Sequence, residues 1–129
     1  MCPNTPIPNT DPVAGVLIVD DNAAFRSVAR TVLEAGGYRV TAEVGTGAAA
    51  IQAAAQIKPD LVLLDIGLPD QDGFATCREL HAAQPDLVVI LCSIRDEDEY
   101  GDAIALSSAA GFVAKAQLSA DELRRIVTA

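Results

Sequence analysis

Three carboxylates stand where strand geometry would gather them. Asp20 and Asp21 close the apolar run Val16-Leu17-Ile18-Val19, and Asp65 closes the run Leu61-Val62-Leu63-Leu64. If these runs are strands of one parallel sheet, the acids meet at its carboxyl edge, where the loops of an open α/β sheet form the ligand crevice. Like charges crowded there raise one another's pKa or recruit a counter-charge, and an all-oxygen cluster suits Mg²⁺ with several waters retained. A carboxylate beside that ion can attack phosphorus. Ser93, at the end of the run from Leu87, and Lys115, after Gly111-Phe112-Val113-Ala114, fall at the same kind of position. An aspartate after a strand can merely cap the next helix. Capping explains neither the doubled acid nor a lysine in the crevice. Three aspartates and one lysine leave two negative charges, which one divalent cation would neutralise. Zinc fits less well, because neither the lone His81 nor any cysteine supplies nitrogen or sulfur at these strand ends.

Positioning these residues takes an alternation of strands and helices. From Val16 onward, short apolar runs alternate with segments of helical period, which predicts an α/β fold with a parallel sheet built from five units. Strands are expected at 16–20, 38–43, 60–65, 87–93 and 111–114. The first, third and fourth are almost purely aliphatic, as strands covered on both faces are, and so should be central. In the first helix Phe25, Val28, Ala29, Val32 and Leu33 repeat at helical spacing, and Gly36-Gly37 supplies the stop. The second, over 46–57, is alanine-rich with Ile51 as its anchor and ends before Lys58-Pro59. The third carries Phe74, Cys77 and Leu80 on one face. The fourth is expected to begin in Asp96-Glu97-Asp98-Glu99, acids that suit the positive end of a helix dipole. The last opens with a capping box of Ser119 and Glu122, a staple of Leu118 with Leu123, and a core face of Leu123, Ile126 and Val127.

Composition narrows the partners. A chain of 129 residues, 50% hydrophobic and 21% charged, reads as one domain over residues 16–129. Residues 1–15, with four prolines among turn formers, read as a disordered leader, and no second domain is expected after the last helix. The net charge is −9 and the nine Lys and Arg are scattered apart from Arg124-Arg125, so no basic stripe exists to collect nucleic acid. No apolar run approaches the ~18 residues of a membrane span, and no export signal opens the chain, so the cytoplasm is expected. Cys2, Cys77 and Cys92 form no zinc or redox pattern, Cys92 reads as a core residue, and His81 reads as an ordinary surface residue. Asp70, Asp72, Gly73 and Glu79 match part of a calcium-loop spacing, but Leu68 at its first position has no side-chain oxygen and the preceding segment is a strand. The Gly45-Thr46-Gly47 turn lacks the lysine of a phosphate loop and reads as a helix entry.

The combined pattern Val16-Leu17-Ile18-Val19-Asp20-Asp21, then Asp65-Ile66-Gly67-Leu68-Pro69-Asp70-Gln71-Asp72-Gly73, then Ser93 and Phe112-Val113-Ala114-Lys115, resembles bacterial two-component response-regulator receiver domains over residues 16–128. The resemblance implies a flavodoxin-like doubly wound (βα)5 fold, with a parallel sheet in order 2-1-3-4-5 and helices on both faces. It implies Asp65 as phosphoacceptor, taking phosphorus from the phosphohistidine of a sensor histidine kinase or from a small acyl phosphate. It implies Mg²⁺ held by Asp21, by Asp20 largely through water, by Asp65 and by the Gly67 carbonyl. Lys115 would pair with the acceptor carboxylate and then with phosphoryl oxygens. Ser93 would bind a phosphoryl oxygen, and Phe112 matches the family's aromatic switch position. The output would be binding of a downstream protein through a surface around the fourth helix, fifth strand and fifth helix. The family also allows a homodimer, for which no face declares itself.

The chain departs from the family pattern twice. Ala116 stands where the family usually has a cis proline, so Lys115 is expected on a differently shaped loop. Ile94 stands where a small residue is common, and its bulk should narrow access to Asp65 and slow phosphoryl exchange. Two other readings compete with a stand-alone receiver. One is a metal-dependent phosphohydrolase with Asp65 as nucleophile, against which Ile66-Gly67 fails to supply the second acid of a D-x-D motif. The other is the receiver part of a longer DNA-binding regulator.

Overall fold

The computed structural model describes residues 15–128. Five strands, β1 (Gly15–Val19), β2 (Arg39–Val44), β3 (Leu61–Asp65), β4 (Val88–Ser93) and β5 (Gly111–Ala114), form one parallel sheet in the order β2-β1-β3-β4-β5. The helices are α1 (Ala23–Ala35), α2 (Gly47–Ile57), α3 (Gly73–Ala83), α4 (Ala103–Leu106) and α5 (Ala120–Thr128), with 3₁₀ turns at Glu97–Tyr100 and Lys115–Gln117. Strand order and fold are those expected. β1 starts at Gly15, inside the span read as leader; the rest of that leader, with Cys2, lies outside the described residues.

Side chains alternate across a strand, so a central strand needs apolar residues at every position to serve two cores. On one face Leu17, Val19, Val62, Leu64, Val89 and Leu91 pack against Ala50 and Ala54 of α2, Cys77 and Leu80 of α3, and Ile104 of α4. On the other, Val16, Ile18, Leu61, Leu63, Ile90 and Cys92 pack against Ala29 and Leu33 of α1 and Ala120 and Leu123 of α5. Each long helix has a polar start. Asn22, Thr46 and Asp72 accept from the amides of Phe25, Ala49 and Ala75, and Ser119 accepts from Glu122. α2 stops where expected, because Lys58 takes a left-handed cap (φ +47°) and Pro59 follows. After α1 it is Gly37 (φ +98°) that makes the turn, not Gly36.

Several packing details differ from the sequence reading. Val28 and Val127 are 57% and 44% exposed, so the buried stripes of α1 and α5 are narrower than their apolar content. Ile51 is only half-buried; the true anchors of α2 are Ala50 and Ala54, whose small side chains let the helix lie close to the sheet. Glu122 completes no capping box, because its carboxylate is taken by Arg125. The acidic stretch opens no regular helix. It forms the Glu97–Tyr100 3₁₀ turn, Gly101 breaks the helical path at φ +58°, and α4 is a single turn with only Ile104 buried.

Candidate functional site

Parallel register carries the carboxyl ends of β1, β3 and β4 to one edge, and the acids arrive together. One oxygen each from Asp20, Asp21 and Asp65 lies within 4.8 Å of the others. Asp20 and Asp65 are buried and Asp21 is exposed, so the cluster has a dry floor and a wet rim. Lys115 Nζ lies 2.6 Å from Asp20 Oδ2 and 3.8 Å from Asp65 Oδ2. The expected pairing with Asp65 is thus the longer contact, and the nearer partner is Asp20. Ala116 sits within the 3₁₀ turn that Lys115 opens, and the lysine still reaches the acids from there. The Phe25 ring supports it, with Nζ 4.5 Å from the ring centroid.

Electrostatics follow from this crowding. Burial pushes the Asp65 carboxyl above the usual carboxylate range, and the Asp20 charge pushes it further; Lys115 and the Gly67 amide (3.3 Å to Oδ1) pull it back in part, and Asp21 adds a smaller upward push. Burial alone would lower Lys115, but the Asp20 and Asp65 carboxylates outweigh it and its net shift is upward. Burial pushes the neighbouring Cys92 thiol up to about 12, which leaves it an inert core residue as expected.

The donor set fits Mg²⁺. All three side chains offer carboxylate oxygen, and among the described residues buried Asp20 Oδ2 meets only the Lys115 ammonium. Asp20 is held in place by its own surroundings: Oδ1 accepts from Asn22 N at 2.8 Å, and its carbonyl accepts from Arg26 Nη1 at 2.6 Å. Arg26 is in turn paired with Glu43 of β2 at 3.5 Å.

The opposite wall of this cavity, of about 470 Å³, contains Ser93, Ile94 and Tyr100. Ser93 is buried, yet it faces its own loop: Oγ accepts from Arg95 N (3.1 Å) and shares a 2.5 Å hydrogen bond with Tyr100 OH. Ile94 is 84% exposed at the mouth. Phe112 is half-buried with its ring 6.0 Å from Tyr100, and Tyr100 is 6.0 Å from Phe74 on α3.

The loop after β3 is shaped by close approach. A Cβ on Gly73 would lie 2.6 Å from Ile66 Cα and 2.7 Å from Asp65 O, while the Gly73 amide donates to Ile66 O at 2.8 Å. The acids of the rejected calcium pattern serve as caps. Asp70 accepts from Gly47 N (2.8 Å) and Ala48 N (3.0 Å), contacts that hold its carboxyl below the usual range, and Asp72 accepts from Ala75 N (2.7 Å). His81 is half-buried and bonds the Leu87 carbonyl at 2.8 Å, remote from the acids in the fold.

The family pattern described as the response regulator receiver domain matches residues 16–128. This chain belongs to that family. The receiver is 31% identical over 101 residues to the response regulator GacA of Pseudomonas aeruginosa, covering 78% of this chain and 47% of that protein. It is 36% identical over 78 residues to the chemotaxis protein CheY of Bacillus subtilis, covering 60% of this chain and 65% of that one. Its fold matches a CheY-like receiver domain protein from Methanospirillum hungatei with a TM-score of 0.77, at 23% identity and covering 91% of this chain and 92% of that one. The receiver thus spans about half the length of the GacA regulator it matches. Receiver domains bind Mg²⁺ at an acidic pocket, interact with histidine kinases and downstream effectors, and are not turnover enzymes in the ordinary sense. No helix among the described residues is long and apolar enough to cross a membrane.

Four residues that line the pocket or support its charged groups carry no functional signal in the sequence. Phe25 reads only as a core residue, and Arg26 carries no local signal because its role depends on the carbonyl after β1 and an acid of β2. Tyr100 follows an acidic run that reads as a solvated face, and Asn22 reads only as a residue after the acids.

Proposed function

We propose that this receiver accepts a phosphoryl group on Asp65 in a two-component phosphorelay, with Mg²⁺ bound, and that the modification changes a protein-binding surface. The observation that carries the reading is the meeting of Asp20, Asp21 and Asp65 within 4.8 Å, with one lysine against them. Asp65 is the nucleophile: a carboxylate oxygen bonds to phosphorus, the P–N bond of the donor phosphohistidine breaks, and the imidazole leaves with the electron pair. Asp21, Asp65 and the Gly67 carbonyl directly, and Asp20 largely through water, would hold the ion, which would neutralise charge on the phosphoryl oxygens. Lys115 lies between Asp20 and Asp65 and moves its charge toward the new phosphoryl oxygens. Ser93 donates a hydrogen bond to one of them. Phosphoryl transfer asks mainly for positioning and charge stabilisation, so this short list suffices.

The donor is a sensor histidine kinase and the acting compartment the cytoplasm. The output is binding of a downstream protein around α4, β5 and α5, with Phe112 as the aromatic that follows the change. The length of the GacA regulator favours a second reading of the whole protein, in which this domain is the receiver of a longer regulator. The test is intact mass after acetyl phosphate and Mg²⁺: the parent gains one phosphoryl and Asp65→Asn gains none. An unmodified parent, or a modified Asp65→Asn, overturns the assignment.

A further inference from the structure

Ser93 is the one site residue whose hydroxyl is already committed elsewhere. A serine hydroxyl has one proton to give and two lone pairs to accept with. Arg95 N uses one lone pair at 3.1 Å, and Tyr100 OH shares a 2.5 Å hydrogen bond with the same oxygen in which either hydroxyl can be the donor, so in both senses the Ser93 oxygen is held on the side of its own loop. Both partners belong to the loop after β4, and among the described residues Ser93 Oγ makes no hydrogen bond to Asp65 or Lys115. Tyr100 itself is held by rings on two other elements, Phe74 of α3 and Phe112 of β5. A phenol anchored in this way cannot follow Ser93 freely. The plainer account makes Tyr100 a packing aromatic whose hydroxyl takes the nearest partner; it gives the hydroxyl contact no effect on chemistry.

We propose that Tyr100 is a positioning residue for the phosphoryl reaction: its hydroxyl holds Ser93 to the outer loop, and a phosphoryl group on Asp65 gains Ser93 only by breaking that contact. The inference rests on the function proposed above. It makes the Glu97–Tyr100 turn the first element to feel the new group, because Tyr100 OH loses its hydrogen bond to Ser93 while its ring still bears on Phe74 and Phe112. Ile94 and Arg95, between the two hydroxyls, are exposed, so the loop can move without opening a core.

The test compares the parent with Tyr100→Phe, Ser93→Ala and the double variant, following phosphoryl uptake from acetyl phosphate and Mg²⁺ by intact mass. Phenylalanine keeps the ring packing and removes only the oxygen. Tyr100→Phe should take up phosphoryl roughly two- to tenfold faster, the range set by one ordinary hydrogen bond, and the gain should vanish in the Ser93→Ala background. An unchanged or slower Tyr100→Phe overturns the proposal, as does a gain that persists without Ser93, since that would be general loosening. The chain has no tryptophan and only two tyrosines, so Tyr38→Phe leaves Tyr100 as the sole tyrosine emitter. Beryllofluoride with Mg²⁺, a phosphoryl mimic, should change its emission, and no change also overturns the proposal. A parent that takes up no phosphoryl sinks the receiver chemistry and this inference together; an active parent matched by Tyr100→Phe sinks this inference alone.

Discussion

Asp20 directly follows β1 and Asp65 ends β3, strands buried at all five positions and flanked by strands on both sides, whereas Ser93 ends β4 and leads into a loop in which Ile94 to Glu99 are all exposed. The acid side is backed by helices of 11 to 13 residues, and the hydroxyl side by a 3₁₀ turn and a four-residue helix. The contrast separates two tasks. Holding like charges within a few Å needs a frame that does not yield, and reporting a new charge needs a segment with little packing to lose. One pocket contains both because parallel strands end at a common edge while their outgoing connections pack independently.

The largest expected difference is in stability. Leu64→Ala, on the fully buried acid side, should cost about 2–5 kcal/mol, and Leu106→Ala, 84% exposed on α4, no more than about 0.5 kcal/mol in urea unfolding. Equal costs would erase the contrast.

Next come two glycines. Gly73→Ala forces a methyl against the backbone of Asp65 and Ile66 and should cost about 1–3 kcal/mol while weakening Mg²⁺ binding. Gly101→Ala meets no neighbour within 4 Å but strains a positive φ, so it should cost about 1–2 kcal/mol and leave Mg²⁺ affinity, measured by calorimetry, unchanged.

A pH effect follows from the acid cluster. The folded protein holds the Asp65 proton to higher pH than the unfolded chain does, because burial first and Asp20 second disfavour the charge. Its contribution to stability therefore falls as pH rises from the unfolded carboxylate value of about 3.9 through the raised folded one. Asp65→Asn should be more stable than the parent by about 1 kcal/mol at pH 7 in metal-free buffer. The advantage should shrink toward pH 4 and when Mg²⁺ is added, both read from melting temperatures. The smallest expected effect belongs to the rim. Ile94→Ala should gain and lose label a few-fold faster, without the stability cost of the buried positions, if the isoleucine at the mouth limits access.

Local pattern was enough for the frame. The unbroken runs at 16–19, 61–64 and 87–92 could only be strands covered twice, and they lie at the centre of the sheet, with the acids, Ser93 and Lys115 at its carboxyl edge. Hydrophobicity was a poorer guide where burial is shared among elements. Val28 and Val127 have helical spacing but stay exposed among the described residues, while Ala50 and Ala54 outrank Ile51 because α2 lies close enough to the sheet to favour small side chains. The fourth helix starts later than its acidic stretch suggests for a related reason, since acids that suit a helix start cannot show that Gly101 will turn the backbone away.

By itself the amino-acid order determined which residues would stand at one edge of the sheet, because strand period, turn residues and crossover handedness act over short stretches of chain. Which of them touch was settled only by the folded chain. The Lys115 preference for Asp20, the Arg26 hold on the Asp20 carbonyl, the Asp70 cap on α2 and the Ser93–Tyr100 bond join residues from separate segments. Their geometry depends on differences of an ångström or less in how helices lie on the sheet, and no local pattern encodes a distance that small.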